Sequence, residues 1–328
     1  KDLKIVYTPI HGSGVEIVPE FLAKLGFENV YHVPEQDVID GNFPTVKSPN
    51  PEEPGALAMA LAVADKEGAD LVMATDPDAD RIGIAVRDNE GKMVLLNGNQ
   101  TGSILTYYIL RRWSELGKLD GKQFIVKTIV TTELMRAIAE KYGVKVYNVL
   151  TGFKWIADII KKNEGIATFV CGGEESYGFN VGDFVRDKDA PITCAFVAEC
   201  AAWAAEQGKT LYQLLQDIYA EFGYYKESLI SLTKKGKAGL EEIAQMMVDY
   251  RNNPPTEMAG SPVIKVIDYS KPEETGLPAS NVLQFYNEAG DVVTIRPSGT
   301  EPKIKFYFGI KGSDADAKNE VLRAQFSK

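Results

Sequence analysis

A chain of 328 residues with 45% hydrophobic and 25% charged side chains is long enough for two or three domains with buried cores. Its formal net charge of −10 argues against general nucleic-acid binding, which needs a basic face, but leaves room for a small anion at a local cluster of Arg and Lys. No apolar run approaches the ~18 residues of a membrane helix and no secretory signal opens the chain, so the expectation is a soluble, cytoplasmic protein without a membrane partner. Cys171, Cys194 and Cys200 form no C-x-x-C pair and read as small buried hydrophobes. His11 and His32 are too few for a histidine metal site or triad.

Lys4 to Tyr7 reads as a strand, followed by a turn with Gly12 and Gly14 and a helix from Val15 to Leu25. That order suits an α/β unit, yet Ile17 stands where a dinucleotide fingerprint needs a small residue. His11 could touch a phosphate or satisfy local backbone. A strand over Asn29–Val33, a Pro- and Gly-rich loop over Gly41–Gly55 and a helix over Glu52–Glu67 follow. The apolar run Ala69–Ala74 then ends in A-T-D-P-D-A-D-R, residues 74–81. Strands alternating with helices predict a largely parallel sheet whose ligands gather at the carboxyl ends of its strands.

Asp76, Asp78 and Asp80 alternate at one such end. Clustered carboxylates repel and raise one another's pKa, a cost that a hard cation with oxygen ligands removes, and Mg²⁺ is the natural choice. An EF-hand is excluded because its Gly and Glu positions hold Arg81 and Arg87. A solvated acidic turn between Leu71–Ala74 and Ile82–Val86 is the alternative.

Past Asn99 the pattern repeats: a helix Gln100–Trp113, a strand Phe124–Val130, Thr131 and Thr132 as caps of a helix through Lys141, a strand Val144–Val149 and a helix Trp155–Lys162. After the strand Ala167–Cys171 comes G-G-E-E-S-Y-G, residues 172–178, in which Glu174 and Ser176 could accept from and donate to sugar hydroxyls; a structural cap is the alternative. Arg186 and Lys188 downstream are candidate phosphate partners, or charges that solvate a loop. Helices Ala195–Glu206 and Leu211–Phe222 lead to a hinge-like Gly223-Tyr224-Tyr225.

Beyond it, a helix Ala238–Tyr250 and strands near Val263–Asp268, Asn281–Tyr286, Asp291–Ile295 and Lys303–Lys311 predict an antiparallel α+β module. Ile304, Phe306, Phe308 and Ile310 alternate with Lys303, Lys305, Tyr307 and Lys311, as in a half-buried strand with one wet face. The loop R-P-S-G-T-E-P-K offers Ser298, Gly299 and Thr300 between Arg296 and Lys303. It suits a phosphate cradle, the guanidinium binding bidentately and the backbone amides donating, though a plain hairpin turn would also fit.

T-D-P-D-A-D-R, G-E-E-S-Y-G and R-P-S-G-T-E-P-K, in that order, resemble the motifs of the α-D-phosphohexomutase family, the phosphoglucomutases and phosphomannomutases. T-G-F-K-W-I and D-F-V-R-D-K-D-A look like further family segments, so the resemblance spans essentially the whole chain. The resemblance implies two tandem α/β mixed-sheet domains, 1–99 with the metal loop and 100–222 with the sugar loop, then an α+β antiparallel-sheet domain, 223–328, with the phosphate loop.

It implies Mg²⁺ on Asp76, Asp78 and Asp80, sugar hydroxyls on Glu174 and Ser176, and the non-reacting phosphate on Arg296, Ser298, Gly299, Thr300 and Lys303. Lys154 would stand near the reacting groups, with Arg81, Arg186 and Lys188 nearby. The implied reaction interconverts glucose 1-phosphate and glucose 6-phosphate through a phosphoserine and glucose 1,6-bisphosphate. Family members carry the serine in a T-A-S-H-N-P type loop of a first domain, and no such string occurs here. The nearest, Lys47-Ser48-Pro49-Asn50-Pro51, lies in the metal-loop domain, so no nucleophile is assigned. The chain is therefore expected to be the second to fourth domains of a mutase, inactive alone, with the serine domain as its missing partner. A non-catalytic phosphosugar-binding or regulatory protein, a mannose- or pentose-phosphate mutase and a plain Mg²⁺ phosphatase are the alternatives.

Overall fold

The computed structural model describes residues 2–299 and 301–327. Its backbone divides into two units, one up to Glu221 and one from Phe222. The first unit begins β1 (Lys4–Thr8), α1 (Gly14–Lys24), β2 (Asn29–His32), α2 (Pro54–Glu67), β3 (Leu71–Thr75), β4 (Ile82–Arg87) and β5 (Met93–Leu96). Their sheet has the order β2-β1-β3-β4-β5, parallel across β2, β1 and β3 and antiparallel across β4 and β5. A wholly parallel sheet would need crossovers of a dozen or more residues. The short span Asp76–Arg81 between β3 and β4 cannot supply one, so the chain doubles back and the acidic loop becomes a hairpin tip. β5 carries no strong alternation and is not foreseen in the sequence.

The unit continues with α3 (Gly98–Glu115), β6 (Gln123–Thr128), α4 (Glu133–Lys141), β7 (Lys145–Val149), α5 (Phe153–Lys162), β8 (Thr168–Gly173), β9 (Phe179–Val181), α6 (Ala190–Glu206) and α7 (Leu211–Phe222). The second sheet, β7-β6-β8-β9, is parallel except for β9, which pairs back on β8. Helix starts are fixed by side-chain caps. Asn97 accepts from the Gln100 amide while Gln100 returns the bond in a capping box, so α3 starts ahead of the expected Gln100. Thr132 accepts from Leu134 N–H at α4, and Asp189 from Ile192 N–H at α6. Val6, Leu57, Val72 and Ala85 belong to one core cluster, and Phe124, Val126, Ile156 and Phe169 to another. All three cysteines are free and buried.

The second unit contains β10 (Tyr225–Thr233), α8 (Gly236–Asn252), β11 (Glu257–Met258), β12 (Ser261–Asp268), α9 (Pro272–Thr275), β13 (Leu283–Asn287), β14 (Val292–Pro297), β15 (Lys303–Lys311) and α10 (Ala315–Phe326). Its sheet, β10-β15-β14-β13-β12-β11, is antiparallel throughout. Ile304, Phe306, Phe308 and Ile310 are buried in one core with Met247 of α8 and Leu322 and Phe326 of α10, the alternation read from sequence. The opposite face is not wholly wet. Gln284, Thr294 and Tyr307 stand in register across three strands and are buried, and Gln284 donates to Thr294 and accepts from the Tyr269 hydroxyl. Among the described residues no helix is long and apolar enough to cross a membrane.

Candidate active site

The loop after β3 is organised by Asp76, whose side chain is almost wholly buried. Its Oδ1 accepts from the amides of Asp80 (3.0 Å) and Arg81 (2.9 Å), and its Oδ2 from Arg81 Nε (2.7 Å). Burial works against the charge of Asp76, but these donors outweigh it and hold the carboxyl below the usual range. Asp80 behaves oppositely: burial lifts its pKa, Lys188 Nζ at 2.9 Å opposes, the Asp76 charge adds to the rise, and the net shift is upward. Asp78 is exposed, and each of the three aspartates offers a carboxylate oxygen within 4.8 Å of the others. An all-oxygen set of this size fits a hard divalent cation such as Mg²⁺.

Arg81 runs on from Asp76 to Asn50 Oδ1 and Glu52 Oε1, both 3.3 Å from its Nη1. These two partners lie in the Pro-rich loop before α2, together with Ser48. Ser48, Pro49, Asn50, Asp76, Pro77, Asp78 and Arg81 line an open pocket of about 510 Å³. Gly12 and Gly14 also serve the acidic loop. A Cβ on Gly12 would lie 2.4 Å from Pro77 Cα, and Ser13 N–H donates to Pro77 O, so the β1–α1 turn packs flush on the metal loop. His11 is buried, with Nδ1 2.8 Å from Val38 O and Nε2 2.8 Å from Thr45 Oγ1. The ring thus ties the β1–α1 turn to a segment about thirty positions downstream, partners that neither of its two readings named.

The β8–β9 hairpin brings the second loop to the same place. Asp76, Asp78, Asp80, Arg81, Glu174, Ser176 and Lys188 line a pocket of about 270 Å³. Ile82 N–H donates to Tyr177 O, which stitches the two loops together. Glu174 Oε1 accepts from Gly152 N–H (2.9 Å), the N-cap that leads into the first turn of α5. Lys154, in that turn, is exposed with its Nζ 4.9 Å from the centroid of the Trp155 ring. Arg186 is exposed and pairs with Glu164 at 3.0 Å. Lys154 and Arg186 thus stand outside the lining that gathers the other expected residues of this unit.

Two groups beneath the hairpin are not foreseen in the sequence. Glu175 Oε2 accepts from Thr128 Oγ1 (3.4 Å) and Thr131 Oγ1 (3.3 Å). Burial, with the Glu174 charge adding to it, pushes Glu175 up to about 6. Between its ordinary 4.5 and this value the folded state binds more protons than the unfolded one, so stability falls as pH rises through that window. The fall is about 2 kcal/mol at most, reduced by the partial exposure of the loop. A Glu175→Gln variant is expected to lose that slope in urea titrations at pH 4.5 to 6.5; an identical slope would sink the assignment. Next to the threonines, Lys127 is fully buried and its Nζ donates to Glu133 Oε1 at 2.9 Å.

In the second unit, Arg296 and Pro297 end β14 and Lys303 opens β15, so the expected cradle is the tip of a hairpin. Ser298 N–H donates to Lys303 O (2.8 Å), and Ser298 Oγ accepts from the Glu301 amide (3.2 Å). Lys303 pairs with Glu301 at 2.9 Å, while Gly299 is exposed. Thr300 lies outside the described residues.

Models of the phosphoglucomutase/phosphomannomutase family match most of the chain: α/β/α domain II over residues 1–91, α/β/α domain III over 97–222 and the C-terminal domain over 233–324. A phosphoglucomutase of Staphylococcus aureus strain MRSA252 is 39% identical, the alignment covering 98% of this chain and 59% of that protein. One from Staphylococcus haemolyticus is 38% identical over 94% of this chain and 57% of its own length. The chain thus spans under two thirds of these relatives. The crystal structure of a phosphoglucomutase/phosphomannomutase family protein from Burkholderia thailandensis shares the fold, with a TM-score of 0.71 at 18% identity over 98% of this chain and 59% of that one.

Proposed function

The chain belongs to the phosphoglucomutase/phosphomannomutase family, and we propose that it supplies the metal, sugar and phosphate loops of a mutase interconverting glucose 1-phosphate and glucose 6-phosphate. The observation that carries this reading is the 270 Å³ pocket in which three aspartates, two cations, Glu174 and Ser176 converge. In the proposed mechanism Asp76, Asp78 and Asp80 hold Mg²⁺, which supplies electrostatic stabilisation of the phosphoryl group in transit. Arg81 and Lys188 place positive charge beside that group. Gly152 N–H fixes one oxygen of Glu174, leaving its other oxygen and the Ser176 hydroxyl to bind sugar hydroxyls. Arg296, Ser298, Gly299, Thr300 and Lys303 hold the phosphate that is not transferred, and Lys154 and Arg186 complete the set if substrate draws them inward.

The proposed nucleophile is a phosphoserine from a further domain, with glucose 1,6-bisphosphate as intermediate and activator. Domain limits of 1–99, 100–222 and 223–328 and a cytoplasmic location belong to the same proposal. The test is a coupled assay with glucose 1-phosphate, Mg²⁺ and catalytic glucose 1,6-bisphosphate, run on this chain and on a fusion carrying a relative's serine-loop domain at its N-terminus. Turnover in the fusion alone is expected. Turnover in the short chain would make Ser48 the nucleophile to test. Bisphosphate binding without turnover in either would favour a phosphosugar-binding protein, and absence of binding would remove the reading.

A further inference from the structure

The sugar loop contains two adjacent glutamates, and they point to different places. They lie in the turn between β8 and β9, and the contacts of each side chain show where it goes. Glu174 and Ser176 line the 270 Å³ pocket, whereas the Glu175 carboxylate turns to the β6–α4 corner. There it meets the hydroxyls of Thr128 and Thr131, which bond each other at 2.7 Å. The corner is itself rigid. Lys127 Nζ donates to Thr128 O and Thr131 O, Glu133 pairs with Lys127, and Thr132 N–H donates to Asn99 Oδ1 in α3. The loop backbone is pressed from the other side: a Cβ on Gly98 would lie 2.2 Å from Glu175 O and 2.9 Å from Tyr177 N.

Resting on the mutase reading, we propose that Glu175 is a positioning residue whose carboxylate keys the sugar loop to the Thr128–Thr131 corner and thereby fixes Glu174 and Ser176 toward the substrate. Within this five-residue loop Glu174 N–H to Gly178 O closes the hairpin base, while the other contacts that hold it, from Ile82 N–H to Tyr177 O and from Gly152 N–H to Glu174, come from neighbouring segments. Without Glu175 the loop keeps its backbone contacts at Gly98 but loses the side-chain key opposite them. Groups that must meet a ligand within a fraction of an ångström depend on such support.

The test has two arms. In hydrogen exchange of the ligand-free chain, Glu175→Ala is expected to speed exchange of the Glu174 and Ile82 amides about tenfold, since both are bonded to the loop. The Gly182 amide, bonded to Val170 O in the same hairpin, and the Ile129 amide are expected to stay as in wild type. Glu175→Gln, which keeps an acceptor for the threonines, is expected to restore protection. Should Glu175→Ala not fold, Thr131→Val removes one donor, with acceleration of roughly threefold expected at the same two amides. Unchanged protection at Glu174 and Ile82, or acceleration spread evenly over the hairpin and β6, would overturn the proposal. In the second arm, calorimetry with glucose 1,6-bisphosphate and MgCl₂ is expected to show about tenfold weaker sugar binding in Glu175→Ala with Mg²⁺ affinity retained. Wild-type affinity in the variant would overturn the proposal. Absence of binding by the wild-type chain would overturn the mutase reading instead, and the exchange arm would still decide the role of Glu175.

Discussion

Glu133→Ala is expected to destabilise the first unit by about 3 to 5 kcal/mol at pH 7, because it strips a fully buried ammonium of its counter-charge. Lys127 is completely buried, and among the described residues the partners of its Nζ besides Glu133 are neutral oxygens of Thr128, Thr131 and Asn148, with the Glu175 charge acting from farther off. Burial already depresses the Lys127 pKa, with Glu133 the main group pulling it back up. Removing Glu133 lowers it further. Over the window from that depressed value to the ordinary one near 10.5, the unfolded chain binds more protons than the folded chain, so stability rises with pH. The variant is therefore expected to recover between pH 7 and 9.5 more steeply than wild type. Lys127→Met combined with Glu133→Leu is expected to lie within about 1 kcal/mol of wild type, since the pair is replaced rather than broken. Urea unfolding followed by tryptophan fluorescence reads this unit alone, because Trp113, Trp155 and Trp203 all lie within it. A Glu133→Ala variant as stable as wild type, or one indifferent to pH, would refute the account.

This pairing of a buried lysine with a half-buried glutamate marks the limit of what the sequence discloses. Asp76, Asp78 and Asp80 are legible because their chemistry is local: like charges at two-residue spacing are unfavourable without a partner, and that inference needs no fold. The same is true of the alternation in β15 and of the threonine cap before α4. Lys127 reads as an unremarkable strand residue because Glu133 and Asn148 reach it only when β6, α4 and β7 pack together. Arg81 is visible as a charge, but Asn50 and Glu52, its partners, stand some thirty positions upstream in a loop whose prolines and glycine suggest only irregularity. Gly12 and Gly14 look like part of a nucleotide turn, yet their bare Cα atoms admit Pro77 and the Tyr7 hydroxyl. Glu175 is visible as a charge beside Glu174, but the segment is a turn, and only the approach of the β6–α4 corner separates its role from that of its neighbour. The β3–β4 reversal was within reach, given the length of the loop between them. The fold class followed from patterning, while the supports of the site depended on contacts between distant segments.

The metal loop yields a prediction in which stability and binding move in opposite directions. Asp76 is committed to Arg81 and two amides, and Asp80 to Lys188, whereas Asp78 forms no ion pair among the described residues. In the absence of a cation, Asp78 adds a third negative charge with an oxygen within 4.8 Å of the other two. Asp78→Asn removes that repulsion while keeping the side-chain shape, so the metal-free chain is expected to gain about 1 kcal/mol at low ionic strength and less in salt. The same change removes the most accessible anionic ligand, and Mg²⁺ or Mn²⁺ affinity is expected to fall roughly tenfold or more, about 1.4 kcal/mol of binding energy per decade. Thermal melts with EDTA and with 5 to 10 mM MgCl₂ (roughly saturating for a weak carboxylate site) separate the two effects. Mg²⁺ is expected to raise the wild-type transition well above its EDTA value and to leave the variant nearly unmoved, so that the order of stability reverses on adding metal. If Asp78→Asn proved less stable in EDTA, the acidic loop would be a self-sufficient turn. If both proteins responded equally to Mg²⁺, the ion would bind elsewhere. A reversal with neither of these results fits a loop in which Asp76 and Asp80 are already paired and the added charge of Asp78 is costly until a metal ion joins it, which is how a phosphoryl-transfer site retains a ligand that folding alone would disfavour.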